Sequence, residues 1–213
     1  MARPRTPKGR ALRTHERLAG EYAAICELDH TSAFELLAAT ILSAQCTDAR
    51  VNMTTPALFA RFPDAVSLAG ADLEELQELV RPTGFYNSKA KNLSGMARML
   101  VADFDGEVPT KLADLVKLPG VGRKTGNVVR SVVFGLPGLP VDTHVKRLTN
   151  RLGITTLEDP VKIELELNSM LPAAERGPFS LRVILHGRQV CFARKPNCED
   201  CVLNDFCPTA FQV

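Results

Sequence analysis

Three groups of residues have the types and spacing to do chemistry. In the first, Leu118-Pro119-Gly120-Val121-Gly122-Arg123-Lys124, two glycines make a tight turn and an amine follows just beyond it. A glycine turn that opens a helix points several backbone N–H groups outward, and a DNA phosphate fits there without any side chain. Lys124 falls in the first helical turn, where the helix start and partial burial would both favour a neutral amine. A neutral lysine amine is a nucleophile that leaves a Schiff base when it displaces a group at a sugar C1′. The same residues also suit a sequence-neutral DNA-binding hairpin in which Lys124 merely touches phosphate.

The second group is Asp142 in Val141-Asp142-Thr143-His144-Val145, a carboxylate that can cap the following helix. To assist Lys124 it must also return to the hairpin. The helix after Lys124 carries the chain about 15 Å away, and residues 135–141 span up to roughly 23 Å when extended, so the return is allowed. The third group is Cys191, Cys198, Cys201 and Cys207, separated by six, two and five residues. Crowded at the end of the chain, they argue for metal and not for a disulfide framework. Zinc takes four thiolates, but its small ribbons usually show two Cys-x2-Cys knuckles, and only one exists here.

Helices must position these groups. Leu112, Leu115 and Val116 predict a short helix that Thr110 caps and Pro119 stops, and Val128, Val129, Val132 and Val133 predict a second, starting near Val121 or Gly122. Ser32 can cap a core helix whose stripe is Phe34, Leu37, Ala38, Ile41 and Leu42. Further helices are expected over residues 14–27, with Leu18, Tyr22 and Ile25 on one face, and up to Phe59 and Phe62. Two short ones start at Asp64 and Asp72, and a longer one runs from Phe85 to about Phe104. Beyond the turn-rich stretch 135–140, helices open at Asp142, Asp159 and Pro178. With no strand pair, repeat or low-complexity block, the fold class is all-α with about ten helices.

Composition sets bounds. The 213 residues, 45% hydrophobic and 23% charged, suit a globular protein of one large domain or two small ones. A net charge of +2 means that polyanion binding rests on local clusters. The first 17 residues hold one: Arg3, Arg5, Lys8, Arg10, Arg13 and Arg17 against Glu16, read as a solvated, frayed tail. No run is long and apolar enough for a membrane span, and no secretory h-region follows the first methionine, so an intracellular protein is expected.

The run Leu-Pro-Gly-Val-Gly-Arg-Lys-Thr at residues 118–125 resembles the hairpin of the helix-hairpin-helix DNA glycosylases, the endonuclease III branch in particular. Val141-Asp142-Thr143-His144, Leu42-Ser43-Ala44-Gln45 and the cysteine spacing are similar to segments of the same family, so the resemblance covers about Phe34 to Cys207. It implies a bifunctional DNA glycosylase and AP lyase that removes oxidised pyrimidines in base excision repair, working as a monomer on damaged double-stranded DNA at the nucleoid. Lys124 is then the nucleophile, Asp142 its electrostatic partner, and the four cysteines hold a [4Fe-4S] cluster. Gln45 fills the space left by the extruded nucleotide, and Phe85 stands at the wedge position, where the family usually carries leucine. Without the family, Gln45 reads as a polar helix end and Phe85 as a core aromatic.

The implied DNA contacts are completed by Leu118, Gly120, Val121 and Gly122 of the hairpin and by Arg194 and Lys195 between the first two cysteines. His144, Arg147 and Arg188 are further candidates for backbone contact, and His186 reads equally as a buried, satisfied histidine. The implied fold is two-lobed: a six-helix barrel over residues 26–136, and an iron-sulfur domain made of residues 1–25 and 137–213. Gly126 is a second departure, since the family more often has alanine there; glycine within a helix costs about 0.5–1 kcal/mol relative to alanine and predicts a looser helix beside Lys124. A monofunctional mismatch glycosylase and a non-catalytic iron-sulfur DNA-binding protein are the alternatives.

Overall fold

The computed structural model describes residues 3–212. Among them every regular element is helical: α1 (Pro7–Glu21), α2 (Ala33–Leu42), α3 (Asp48–Arg61), α4 (Ala65–Ala69), α5 (Leu73–Val80), α6 (Tyr86–Asp103), α7 (Leu112–Leu115), α8 (Arg123–Val132), α9 (Thr143–Arg151), α10 (Pro160–Met170) and α11 (Arg176–Gln189). Two short 3-10 turns, Arg81–Thr83 and Ala173–Glu175, complete the set. These elements form two compact units, one of Cys26–Gly135 and one of Met1–Ile25 with Leu136–Val213.

The unit Cys26–Gly135 is built around α2. Ser32 caps it by accepting the Glu35 N–H at 3.1 Å, as its sequence predicts. Its burial exceeds the expected stripe, because Leu36, Ala39 and Thr40 are covered along with Phe34, Leu37, Ala38, Ile41 and Leu42. A helix apolar on all sides becomes the centre of its unit, and α3, α6 and α8 pack around it. Asp64 and Asp72 cap α4 and α5 through the amides of Ser67 and of Glu74 and Glu75. In α6, Leu93, Met96, Ala97 and Leu100 face inward and are fully buried. Of these, Leu93, Met96 and Leu100 would cost about 2–5 kcal/mol each when cut to alanine.

Two details of the hairpin helices differ from expectation. The N-cap of α7 is Lys111 and not Thr110, with no side-chain bond, and Val116 is 41% exposed as its C-cap. A four-residue helix turns too little to bury all three apolar positions, so Leu115 alone is fully inside.

In the other unit the basic N-terminus is not a frayed tail. Thr6 caps α1 by accepting the Gly9 N–H, and Ala11, Thr14 and Leu18 are buried along one face. The Arg10 guanidinium donates to the carbonyls of Leu152 and Gly153, which closes the C-terminus of α9. Arg17 donates to the Val202 carbonyl at 2.6 Å and to both carboxylate oxygens of Asp205. The helix expected over 14–27 is therefore shifted toward the N-terminus, and Ile25 lies outside it at 62% exposure. Asp159 caps α10 as predicted, while α11 begins at Arg176, two residues before Pro178, which its first turn accommodates. The core of this unit is Val145, Leu148, Ile163, Leu167, Phe179 and Val183 with Leu18 of α1. Among the described residues no helix is long and apolar enough to cross a membrane.

Candidate functional site

The hairpin is assembled from buried pegs and one forced glycine. The Leu118 N–H donates to Leu115 and the Val121 N–H to Leu118, at 3.1 and 3.0 Å, which folds the chain back on itself. The Leu118 and Val121 side chains are only 2% and 6% exposed, so both serve the core; the DNA contact expected of them is left to backbone. Gly120 has φ of 77°, and a Cβ there would stand 2.8 Å from the Asn92 Cβ. Both conformation and space demand glycine. Gly122 then caps α8 with no side-chain bond to the first-turn amides, the arrangement that draws an anion to a helix start.

Lys124 sits in that first turn and is exposed, so the partial burial expected for it is absent. Gly126 is buried, and a Cβ on it would stand 2.7 Å from the Leu112 Cδ1. The glycine has a packing reason: the missing methyl lets α7 lie against α8.

A second feature forms where α2 ends and α6 begins. Gln45, Phe85, Ser88, Lys89, Asn92 and Gly120 line one recess of about 220 Å³, together with Ile41 and Ala44. Three residues singled out separately, Gln45, Phe85 and Gly120, thus share one surface. Gln45 has φ of 53° and Phe85 has φ of 48°, a conformation that strains any residue with a Cβ, by about 1–2 kcal/mol each. Phe85 is 64% exposed, which overturns its reading as a core aromatic, and Gln45 is exposed in the turn after α2. Strain and an exposed large apolar side chain converge here. Lys89, which the sequence reading passed over, lies in the same wall only 4% exposed, its Nζ donating to the Thr83 carbonyl at 2.8 Å. Burial pushes its ammonium pKa down, opposed by the neighbouring Cys46.

In the other unit, Asp142 caps α9. Its Oδ1 accepts the amides of His144 and Val145 at 2.8 and 2.9 Å, while Oδ2 has no hydrogen bond among the described residues. Half-buried His144 has its pKa lowered, first by burial and then by Arg147 and Arg188, against the pull of Asp142. Arg147, a candidate for DNA contact, is held by the protein through its Nη2, which donates to the carbonyls of Gly187 and Cys191, both at 2.9 Å. Arg151, one turn on, donates to the Phe192 and Ala193 carbonyls and to the Cys191 sulfur. Arg151 was not singled out in the sequence, its one signal being the i, i+4 spacing from Arg147 on one helix face; the targets of both lie some forty residues away in the chain. Held this way, the loop carries Arg194 and Lys195 exposed.

The four cysteines line one recess with Leu148, Leu152, His186, Val190 and Leu203. Burial first, and then the other three cysteines, push the Cys201 thiol up to about 11. Four thiols gathered around one recess are a donor set that a cationic iron centre would turn into thiolates. Among the described residues no three His, Cys, Asp or Glu side chains close on a single bare ion, as ligands set around a larger cluster need not. His186 is the satisfied buried histidine, bonded to the Tyr22 hydroxyl at 3.1 Å and 3.2 Å from the Cys201 sulfur. Lys124 belongs to one unit and Asp142, with the cysteines, to the other.

Comparison with known proteins gives the arrangement a family. Residues 38–173 match the model of the HhH-GPD superfamily of base excision DNA repair proteins, and residues 191–207 match the iron-sulfur binding domain of endonuclease III. The chain is 54% identical to endonuclease III of Synechocystis sp. over 88% of its own length and 86% of that protein. Among solved structures, a non-covalent endonuclease III–DNA complex superposes with a TM-score of 0.90 at 40% identity, covering 95% of this chain and 96% of the other. A trapped covalent endonuclease III–DNA intermediate does so with the same score, identity and coverage.

Proposed function

This chain belongs to the endonuclease III family of base excision repair DNA glycosylases with AP lyase activity, and we propose on that premise that it removes oxidised pyrimidines from damaged duplex DNA, using Lys124 as nucleophile and Asp142 as its electrostatic partner. The observation that carries this reading is the pairing of an uncapped, glycine-opened helix start with an exposed lysine in its first turn. The amides at that start suit a phosphate of the damaged strand, which would bring the neighbouring sugar to the amine.

In this reading the Lys124 Nζ attacks C1′ and the bond from C1′ to the base breaks, the base leaving with its bonding electrons and gaining a proton. The amine loses protons as the sugar ring opens to an imine. The free Oδ2 of Asp142 stabilises positive charge on the sugar and amine and accepts one of those protons. The imine acidifies the C2′ hydrogen, whose removal expels the 3′ phosphate, and water then releases Lys124. A base within a duplex is out of reach, so the nucleotide must first leave the stack. Gln45 would occupy the vacated space and Phe85 would wedge the step beside it; their strained conformations support both roles.

Cys191, Cys198, Cys201 and Cys207 would hold the [4Fe-4S] cluster, which supplies a covalent staple for the loop between them. That loop offers Arg194 and Lys195 to the DNA backbone, as do the Gly120 and Gly122 backbones from the hairpin. We take the unit Cys26–Gly135 as the barrel and the remainder as the cluster domain, working as a monomer on DNA at the nucleoid.

The test is a product analysis on duplexes bearing thymine glycol, a mismatched adenine or an abasic site. Release of thymine glycol with a nick from β-elimination is expected. Base release without nicking would replace this reading by a monofunctional one, and binding without release would replace it by a non-catalytic one.

A further inference from the structure

Lys89 raises a physical question that the activity does not answer. A lysine only 4% exposed costs far more to bury than an apolar residue of the same length, and among the described residues its Nζ meets a single acceptor, the Thr83 carbonyl. The position of that acceptor is informative. Thr83 is itself buried, with its hydroxyl donating to the Val80 carbonyl at 2.8 Å. Lys89 lies in the second turn of α6, its own N–H bonded to the Phe85 carbonyl at 3.0 Å. The Lys89 side chain therefore reaches back over the start of its helix and joins two fixed points.

Between those points lie only Gly84 and Phe85 before α6 begins, with φ of 71° and 48°. Two successive residues of positive φ, the second left-handed and carrying a Cβ, relax toward ordinary backbone unless both flanks are held. Phe85 has no side-chain cap bond at the N-terminus of α6 and its side chain is exposed, so what holds it is backbone, its carbonyl accepting the N–H groups of Ser88 and Lys89. The Gly84 N–H bonds to the Arg81 carbonyl and the Arg81 guanidinium lies over the Tyr86 ring; the bond from Lys89 to Thr83 adds the buried side-chain restraint that joins the two flanks.

We propose that Lys89 is a positioning residue for extrusion of the damaged base: its buried ammonium, bonded to the Thr83 carbonyl, clamps the turn at Gly84 and Phe85 and holds the Phe85 ring out for insertion into the duplex. The proposal rests on the reading of Phe85 as the wedge. It predicts that Lys89 affects steps that need the duplex opened and leaves steps that do not.

The test compares Lys89→Met, Phe85→Ala and the double variant as cluster-loaded proteins. Methionine keeps most of the side-chain volume and removes the buried charge. Single-turnover release of thymine glycol from duplex, and the fluorescence of 2-aminopurine placed beside the lesion, should both fall in Lys89→Met, release by about ten- to a hundredfold. Nicking of an abasic site in single-stranded DNA should stay at the wild-type rate. Because Lys89 acts through Phe85, the double variant should be no slower than Phe85→Ala alone. Should Lys89→Met not fold by circular dichroism, Lys89→Gln, which keeps an N–H donor, is read instead and should show a smaller loss of the same kind. Multiplied losses in the double variant, or equal losses on single-stranded DNA, would overturn the clamp. Impaired Phe85→Ala beside unimpaired Lys89→Met would overturn the clamp and spare the wedge. Unimpaired Phe85→Ala would overturn the wedge, and the clamp with it.

Discussion

At Asp142 a helix cap and the proposed catalytic carboxylate are one side chain, with Oδ1 committed to the amides of His144 and Val145 and Oδ2 left over. An asparagine at this position would cap nearly as well, because its side-chain oxygen accepts the same amides. Asp142→Asn should therefore unfold within about 1 kcal/mol of wild type, while single-turnover base release falls about 10²- to 10⁴-fold; parallel losses of stability and rate would reduce Asp142 to a cap. Arg194 and Lys195 call for a different measurement, since exposed cations on a held loop act through counterion release. Changing each to alanine should weaken binding alike on all sequences and lower the slope of log affinity against log salt by about one per lost phosphate contact. At this scale the sequence was most legible where chemistry dictates residue type, as at the cysteines and Asp142. Phe85 and Lys89 were harder to read: the first defies the rule that φ above zero belongs to glycine, and the second buries a charge that exposure rules place outside.

Absent side chains set two approaches, that of α7 to α8 at Gly126 and that of the hairpin turn to α6 at Gly120. At Gly120 a methyl would meet Asn92 in a conformation already strained for alanine. Gly120→Ala should cost about 1–3 kcal/mol, measured by thermal unfolding, and weaken DNA binding; unchanged stability would show that the turn relaxes freely. Caps at Ser32, Asp64, Asp72, Asp142 and Asp159 were all readable, because each is a short oxygen-bearing side chain just ahead of a helix. Helix α1 was not. Its buried apolar residues, Ala11 and Leu18, are sparse, and Arg10 and Arg17 find partners more than 140 residues away, so a run of charge that looked solvated is anchored by tertiary structure. Deleting residues 1–21 should expose the face that Leu18 covers, lower the unfolding temperature and hasten bleaching of the cluster's visible absorption; an unchanged melt would mean that α1 contributes nothing to its unit.

Over the whole molecule, the proposed reaction draws on both units: the hairpin lysine, the recess of Gln45 and Phe85, and the strained turn lie in one; the capped aspartate and cysteine loop lie in the other. The amine ties these parts to covalent chemistry, and an imine between protein and DNA leaves a permanent mark when reduced. The decisive measurement is borohydride trapping of the cluster-loaded protein on a thymine glycol duplex and on an abasic duplex, for wild type and Lys124→Ala, with mass spectrometry of the adduct. A covalent adduct is expected on both duplexes, mapped to Lys124 and absent from the variant. An adduct at another residue, or none on either duplex while binding stays intact, would contradict the role of Lys124 as nucleophile.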